Sequence, residues 1–170
     1  MKKLLNILLP AMLLSFTFAA APSVQAGTRI GGGIHYLRTV GDIKDSPGFD
    51  PNDVGIMGSI LFTGTLLRLE GDVEAIPDFG GSDKVMWQPQ AYAMIGDFIY
   101  GGVGVGIGYF DGDWQTNPFY ALRAGVDFFA GGLDLDVFAS YRFQKSSDLR
   151  YLGDNLNSIT FGALLRFGSR

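Results

Sequence analysis

From Leu67 to Ala75 the chain alternates apolar and charged residues one by one. Leu67, Leu69, Gly71, Val73 and Ala75 make one set; Arg68, Glu70, Asp72 and Glu74 make the other. A period of two is that of a β-strand, whose side chains point alternately to opposite faces. Seven further segments alternate in the same way. Together they predict strands at 28–38, 54–63, 66–76, 84–95, 99–110, 118–129, 132–144 and 157–167.

Each segment has an uncharged set. The first reads Thr28, Ile30, Gly32, Ile34, Tyr36; the fifth reads Ile99, Gly101, Val103, Val105, Ile107, Tyr109; the eighth reads Ile159, Phe161, Ala163, Leu165, Phe167. In a soluble sandwich such a face would cover a core. In a membrane barrel it faces lipid, where a Lys or Arg at mid-depth costs about 2–4 kcal/mol. A face free of charge over eight strands is what lipid would enforce. Ten residues, tilted, also rise about 25 Å, the height of a bilayer's apolar band.

The connections sort by length. Links after strands one, three, five and seven are long and polar: Thr39 to Asp53, Pro77 to Asp83, Asp111 to Asn117, Lys145 to Leu156. Links after strands two, four and six are tight: Gly64-Thr65, Gly96-Asp97-Phe98, Ala130-Gly131-Gly132. Tight turns on one side and long loops on the other predict an eight-stranded antiparallel up-and-down transmembrane β-barrel. Outward aromatics fall at the ends of the spans. Tyr36, Trp87, Tyr109, Tyr120, Tyr141 and Phe143 lie at the long-loop end, and Phe62, Phe128 and Phe167 at the short-turn end. Two such girdles match the two membrane–water boundaries.

The first residues change the picture of where this barrel goes. Lys2 and Lys3 precede an apolar run from Leu4 to Ala20, and Val24-Gln25-Ala26 offers small residues before Gly27. This predicts a cleaved secretory signal peptide over 1–26 and a barrel domain over 27–170. The mature chain then carries a net charge of −6, since two of the 13 Lys and Arg go with the leader and all 17 Asp and Glu stay. It has no Cys, which excludes disulfides and thiolate metal sites. An acidic chain lacks the basic patch that nucleic acid requires.

The chain resembles small eight-stranded outer-membrane barrels, such as the OmpA membrane domain and OmpX, over its whole mature length. The resemblance rests on the eight alternating strands and the closing Ile159-Thr160-Phe161-Gly162-Ala163-Leu164-Leu165-Arg166-Phe167. It implies residence in the bacterial outer membrane, contact with its lipids and lipopolysaccharide, and no cofactor. It further implies that Phe167, as the outward aromatic of the last strand, is read by the barrel-assembly machinery. This family usually stops at that aromatic, whereas Gly168-Ser169-Arg170 follow here.

The inward sets carry the candidate site. Arg29, Arg68, Glu70, Asp72, Glu74, Arg123, Asp127, Asp134, Asp136, Arg142 and Arg166 would share a lumen just wide enough for side chains to fill. Buried charges must pair, so a polar plug is expected, with Arg166 against Asp134 or Asp136 and Arg123 against Glu70. Inward Gly102, Gly104, Gly106 and Gly108 leave one wall bare. Either Arg123, Tyr92, Phe119 and Phe138 occupy that space, or a narrow path for ions or small solutes runs along it.

Catalysis finds little footing. His35 is the one histidine, and Ser59 and Ser140 lie inward on other strands without the local context of a nucleophile. Asp42, Asp45, Asp50 and Asp53 match no calcium-loop spacing. Pro89 falls inside strand four, where every backbone donor is needed; a bulge or the upper limit of the span is expected there. The reading is a structural or interaction barrel with its loops as contact surfaces for an external partner. A narrow channel is the alternative, followed by a lipid A-modifying enzyme. A soluble lipocalin-like barrel would need the opposite polarity.

Overall fold

The computed structural model describes residues 27–144 and 156–169. The signal-peptide expectation and most of the Lys145–Leu156 loop lie outside them. Ten strands follow in chain order: β1 (Gly27–Thr39), β2 (Asn52–Thr63), β3 (Leu67–Ile76), β4 (Met86–Gly96), β5 (Ile99–Gly106), β6 (Tyr109–Phe110), β7 (Asp113–Trp114), β8 (Phe119–Ala130), β9 (Leu133–Phe143) and β10 (Ser158–Gly168). Eight of them form the wall. Each of these pairs antiparallel with its neighbour, β1 pairs with β10, and β3 pairs with β4, so the sheet is a closed eight-stranded barrel.

The ladders explain why the alternation persists. A slip of one residue would turn every arginine of a strand outward. Instead the in-register pairs join like to like: Gly31 with Arg166, Ile34 with Ala163, Leu69 with Ala93, Glu70 with Tyr92. The polarity is inverted relative to a soluble protein. Ile34 is 63% exposed and Ile99 is 70%, while Arg142 and Arg166 are 0%. Ala75 is a local exception on the outward set; it stands opposite Trp87 and is buried. The tight turns are where the residue types demand them. Gly131 and Gly132 join β8 to β9 with φ of 60° and 89°, the mirror-image turn that matches strand twist.

Three expectations need correction. The first concerns the fifth span, 99–110, which is not continuous. β5 ends at Gly106 and β6 resumes at Tyr109, with the pairing offset unchanged, from Gln90–Gly106 to Trp87–Tyr109. Pro89 is the cause. Ile107 N–H donates to the Pro89 carbonyl at 3.1 Å, but Pro89 has no N–H to return the bond. One rung is lost without a bulge, and on its other side Pro89 stays in register with Val73.

The second concerns the outward face of strand one, which does not end at Tyr36. Arg38 continues it, exposed and opposite Ile159 and Asn52. It stands one outward step above the girdle residue Tyr36, where a guanidinium can reach headgroups and water. The third concerns the long loops, which are not simply polar. Ile43, in a 3-10 turn over Asp42–Asp45, packs with Leu37, Ile76, Phe79, Met86 and Leu156, flanked by Phe49 and Phe110. This apolar cap sits over the long-loop mouth of the barrel.

Candidate functional site

The lumen holds five arginines and six carboxylates among the described residues, none more than 3% exposed. β1, β3, β8, β9 and β10 deliver them, because each strand sends every second side chain inward. At the short-turn end, Arg29 Nη1 lies 2.9 Å from Asp127 Oδ2 and 2.8 Å from Asp134 Oδ2. Arg68 Nη1 meets the same Asp127 oxygen at 2.7 Å and donates to the Asp97 carbonyl at 2.9 Å.

In the middle, Arg166 bridges Glu70 at 2.5 Å, Asp136 at 2.9 Å and Asp134 at 3.4 Å. Its Nε donates to Ser59 Oγ at 3.0 Å. Arg123 Nη1 reaches Glu70 at 2.8 Å and Asp72 at 2.9 Å. Its guanidinium lies between the Tyr92 and Phe138 rings, 3.9 and 4.2 Å from their centroids. Tyr100 donates its hydroxyl to Asp136 at 2.7 Å. Nearer the cap, Arg142 Nη2 holds Glu74 at 2.5 and 2.7 Å, and its Nη1 donates to Gln88 at 2.6 Å. Gln90 donates to Glu74 at 2.6 Å and accepts from Tyr92 at 2.9 Å.

Charge pairing of this density fits the physics of the site. An unpaired ion so deeply buried costs several kcal/mol, and three of the five guanidiniums here touch at least two carboxylates. Aromatic faces cover Arg29, Arg68, Arg123 and Arg142 as well, adding cation–π contact where hydrogen-bond partners run out.

The glycine wall is occupied. A Cβ added at Gly104 would lie 2.4 Å from Tyr92, and one at Gly106 would lie 2.3 Å from Phe119. Gly102 faces Met94 and the Ala93 carbonyl, and Gly108 faces Gln115. Two of the four expected fillers, Tyr92 and Phe119, stand there; Phe138 covers Gly162 instead. Sequence reasoning missed Met94 and Gln115, neither of which carries charge or an aromatic ring. The barrel thus narrows by letting rings lie on bare backbone.

His35 is buried with Nε2 3.8 Å from Glu74 Oε2, and neither ring nitrogen has a hydrogen-bond partner among the described residues. Ser59 donates to Glu70 and accepts from Arg166, so its hydroxyl is engaged in the ion network. Among the described residues the Ser140 hydroxyl has no hydrogen-bond partner, His35 included.

The outward aromatics fall into two groups. Tyr36, Trp87, Tyr120 and Phe143 are 40 to 61% exposed, and Tyr109 and Tyr141 are partly covered. Trp87 pairs with Tyr109, Tyr120 with Phe143, and the Tyr141 and Phe143 rings lie 4.8 Å apart. Trp114 joins them, 5.1 Å from Tyr109; β7 places it there, in a stretch that looked like loop. At the opposite end, Phe128 meets Phe98 edge to face at 5.2 Å, and Phe167 points outward beside Leu133 and Ile30. Phe62 sits opposite Leu69 and is partly covered.

The barrel is similar to that of Neisserial surface protein A, with a TM-score of 0.60 at 13% identity, covering 84% of this chain and 96% of that one. Two other solved structures align with the chain more loosely. OprG from Pseudomonas aeruginosa gives a TM-score of 0.47 at 14% identity, covering 85% of this chain and 95% of that one. Ail of Yersinia pestis gives 0.42 at 16%, covering 84% and 97%. The first likeness identifies the fold; the other two add no weight to it. No family model and no curated protein matches the sequence. In fold, the chain is a closed eight-stranded antiparallel barrel like that of Neisserial surface protein A.

Proposed function

We propose that this protein is an integral barrel of the bacterial outer membrane, sealed along its axis, acting as a structural or contact element through its long-loop face. The observation that carries this is the inverted polarity. Large apolar residues stand outward around the wall while eleven lumen charges are buried to 3% exposure or less. Water would penalise that wall and lipid stabilises it, at about 25 cal/mol per Å² of apolar surface. The sealing rests on a lumen filled by ion pairs and rings and on the apolar cap above it. A narrow-channel reading would need a water path past Arg123, which reaches from β8 to Glu70 and Asp72 on β3 and packs against Tyr92 and Phe138.

The same reading places the paired termini in the periplasm and the long loops outside the cell, after export by a cleaved leader. Outer-membrane lipid and lipopolysaccharide then surround the wall. Phe167, outward and 61% exposed, is the residue of the last strand suited to recognition by barrel-assembly machinery. Fractionation with heat-modifiable gel migration tests the proposal. The unboiled protein should partition with outer membranes and migrate as a compact species that shifts on boiling; a soluble fraction with no shift would sink it.

A further inference from the structure

The outer surface carries a groove of about 470 Å³ at the long-loop end of the wall, lined by Val73, Trp87, Pro89, Tyr109 and Trp114. The ladders explain its shape. Trp87 pairs with Tyr109 and Tyr109 with Trp114, so three outward rings stand side by side as a shelf across β4, β6 and β7. Pro89 is the next outward residue below Trp87 on β4, level with Val73 of β3. Ala91 and Ala93 follow it. Leu69 of β3 and Val103 of β5 flank Ala93, while Ala91 lies between Gly71 and Val105. The groove therefore opens downward into a shallow furrow along β4. From Trp87 to Ala93 it runs about 20 Å, at ~3.3 Å per residue.

Two observations say what fills it. The groove is continuous with the lipid-facing wall, and its tryptophans stand open, Trp87 at 47% and Trp114 at 55% exposure. Both indoles also carry a polar atom that donates and cannot accept. Neither N–H has a hydrogen-bond partner among the described residues. The wall of a second copy would bring paired backbone and apolar side chains, with no acceptor for those donors. An acyl ester brings both parts that are needed: a long apolar chain for the furrow and, at its head, a carbonyl oxygen that only accepts. Indoles at a membrane boundary sit at this level, one side apolar and one side polar.

We propose that this groove holds one acyl chain of an ester-linked membrane lipid from the long-loop leaflet, a proposal that rests on the outer-membrane reading above. The chain lies along Pro89, Ala91 and Ala93, and the ester carbonyl accepts from the indole N–H of Trp87 or Trp114.

Trp87 and Trp114 are the chain's two tryptophans, so its indole fluorescence reads this groove directly. The test uses the full protein in detergent, first checked for the heat-modifiable shift, so that failure to form the barrel is read separately from failure to hold a lipid. Titrated phosphatidylcholine, brominated at mid-chain, should quench the fluorescence and saturate near one lipid per barrel. A91F fills the furrow at a lipid-facing position. It should raise the lipid needed about tenfold, the effect of roughly two displaced methylenes. A124F makes the same exchange on the outward face of β8 and should leave the titration unchanged. In native mass spectrometry, dipalmitoyl phosphatidylcholine should be retained about fivefold over its dihexadecyl ether analogue, the ratio one neutral hydrogen bond supports. W87F/W114F keeps rings but drops both N–H groups, and should bring that ratio toward one. Quenching that never saturates, or that weakens equally in A91F and A124F, overturns the proposal. Equal retention of ester and ether lipids by the unaltered protein overturns the ester assignment. A dimer whose tryptophans are shielded from brominated lipid gives the groove to a second copy and overturns the proposal as well.

Discussion

Replacing Arg166 with Met removes the cation shared by Glu70, Asp134 and Asp136. The three acids are not left equally exposed to the loss. Glu70 keeps Arg123 at 2.8 Å, and Asp134 keeps Arg29 at 2.8 Å. Asp136 keeps only the Tyr100 hydroxyl at 2.7 Å, because Arg166 is its sole ion-pair partner among the described residues. The variant therefore strands one carboxylate, and breaking a buried pair by removing one partner costs about 3–5 kcal/mol. Equilibrium urea unfolding in phospholipid vesicles, followed by tryptophan fluorescence, measures it without involving assembly machinery. R166M should lose stability in that range. The double variant R166M/D136N should recover at least half, because the stranded charge is gone. A loss below about 1 kcal/mol, or a double variant no better than the single, would refute the view that the ion pairs hold the lumen closed.

Three further outcomes follow from particular contacts. G104A places a Cβ against Tyr92 and should cost about 1–3 kcal/mol in the same assay, with Y92L relieving part of it; an unchanged midpoint would mean that the wall has room. I34K, on the lipid face, should cost about 2–4 kcal/mol, whereas R38K beyond the Tyr36 girdle should be nearly neutral; equal effects would contradict the placement of the span. Asp53 stands above that girdle, beside Leu37, and accepts from the Gly80 N–H at 3.0 Å within the cap. Burial, together with nearby Asp50 and Asp78, pushes its carboxyl up to about 6. The folded value lies above the usual 3.8, so ionisation penalises the closed cap above about pH 6 and acidification relieves it. Limited proteolysis between residues 40 and 51, taken as the ratio of wild type to D53N, should slow from about pH 7.5 to about pH 5; a flat ratio would remove Asp53 from the cap's energetics.

The wall was readable because every strand obeys one rule with a heavy penalty for breaking it. At Leu67–Ala75 a one-residue slip would put Arg68 and Glu70 in lipid, so local pattern and global fold agree. The tight turns were readable for a similar reason, since Gly131 and Gly132 supply the positive φ a two-residue hairpin needs. The cap was not. Ile43, Phe49 and Phe79 are scattered singly through Asp- and Gly-rich loops, with no period to mark them as a cluster. Ion pairs could be read from opposite charges on inward sets, as for Arg123 with Glu70, but the ring that Arg123 meets on β4, Tyr92, could not, because strand alternation sets facing and not depth along the barrel. Pro89 was visible as an anomaly, but its effect depended on which neighbour its missing N–H faced. The ladder shows that neighbour to be Ile107. Trp114 went unseen because two residues of strand, Asp113–Trp114, are too short to alternate.

The central claim is a membrane-spanning barrel closed along its axis by its own charges. Planar-bilayer recording of the reconstituted, heat-modifiable protein tests it most directly. The account predicts a silent membrane under applied voltage, with Arg123, Arg166 and their carboxylates filling the lumen. Stable unitary current steps that depend on the unboiled protein would contradict it.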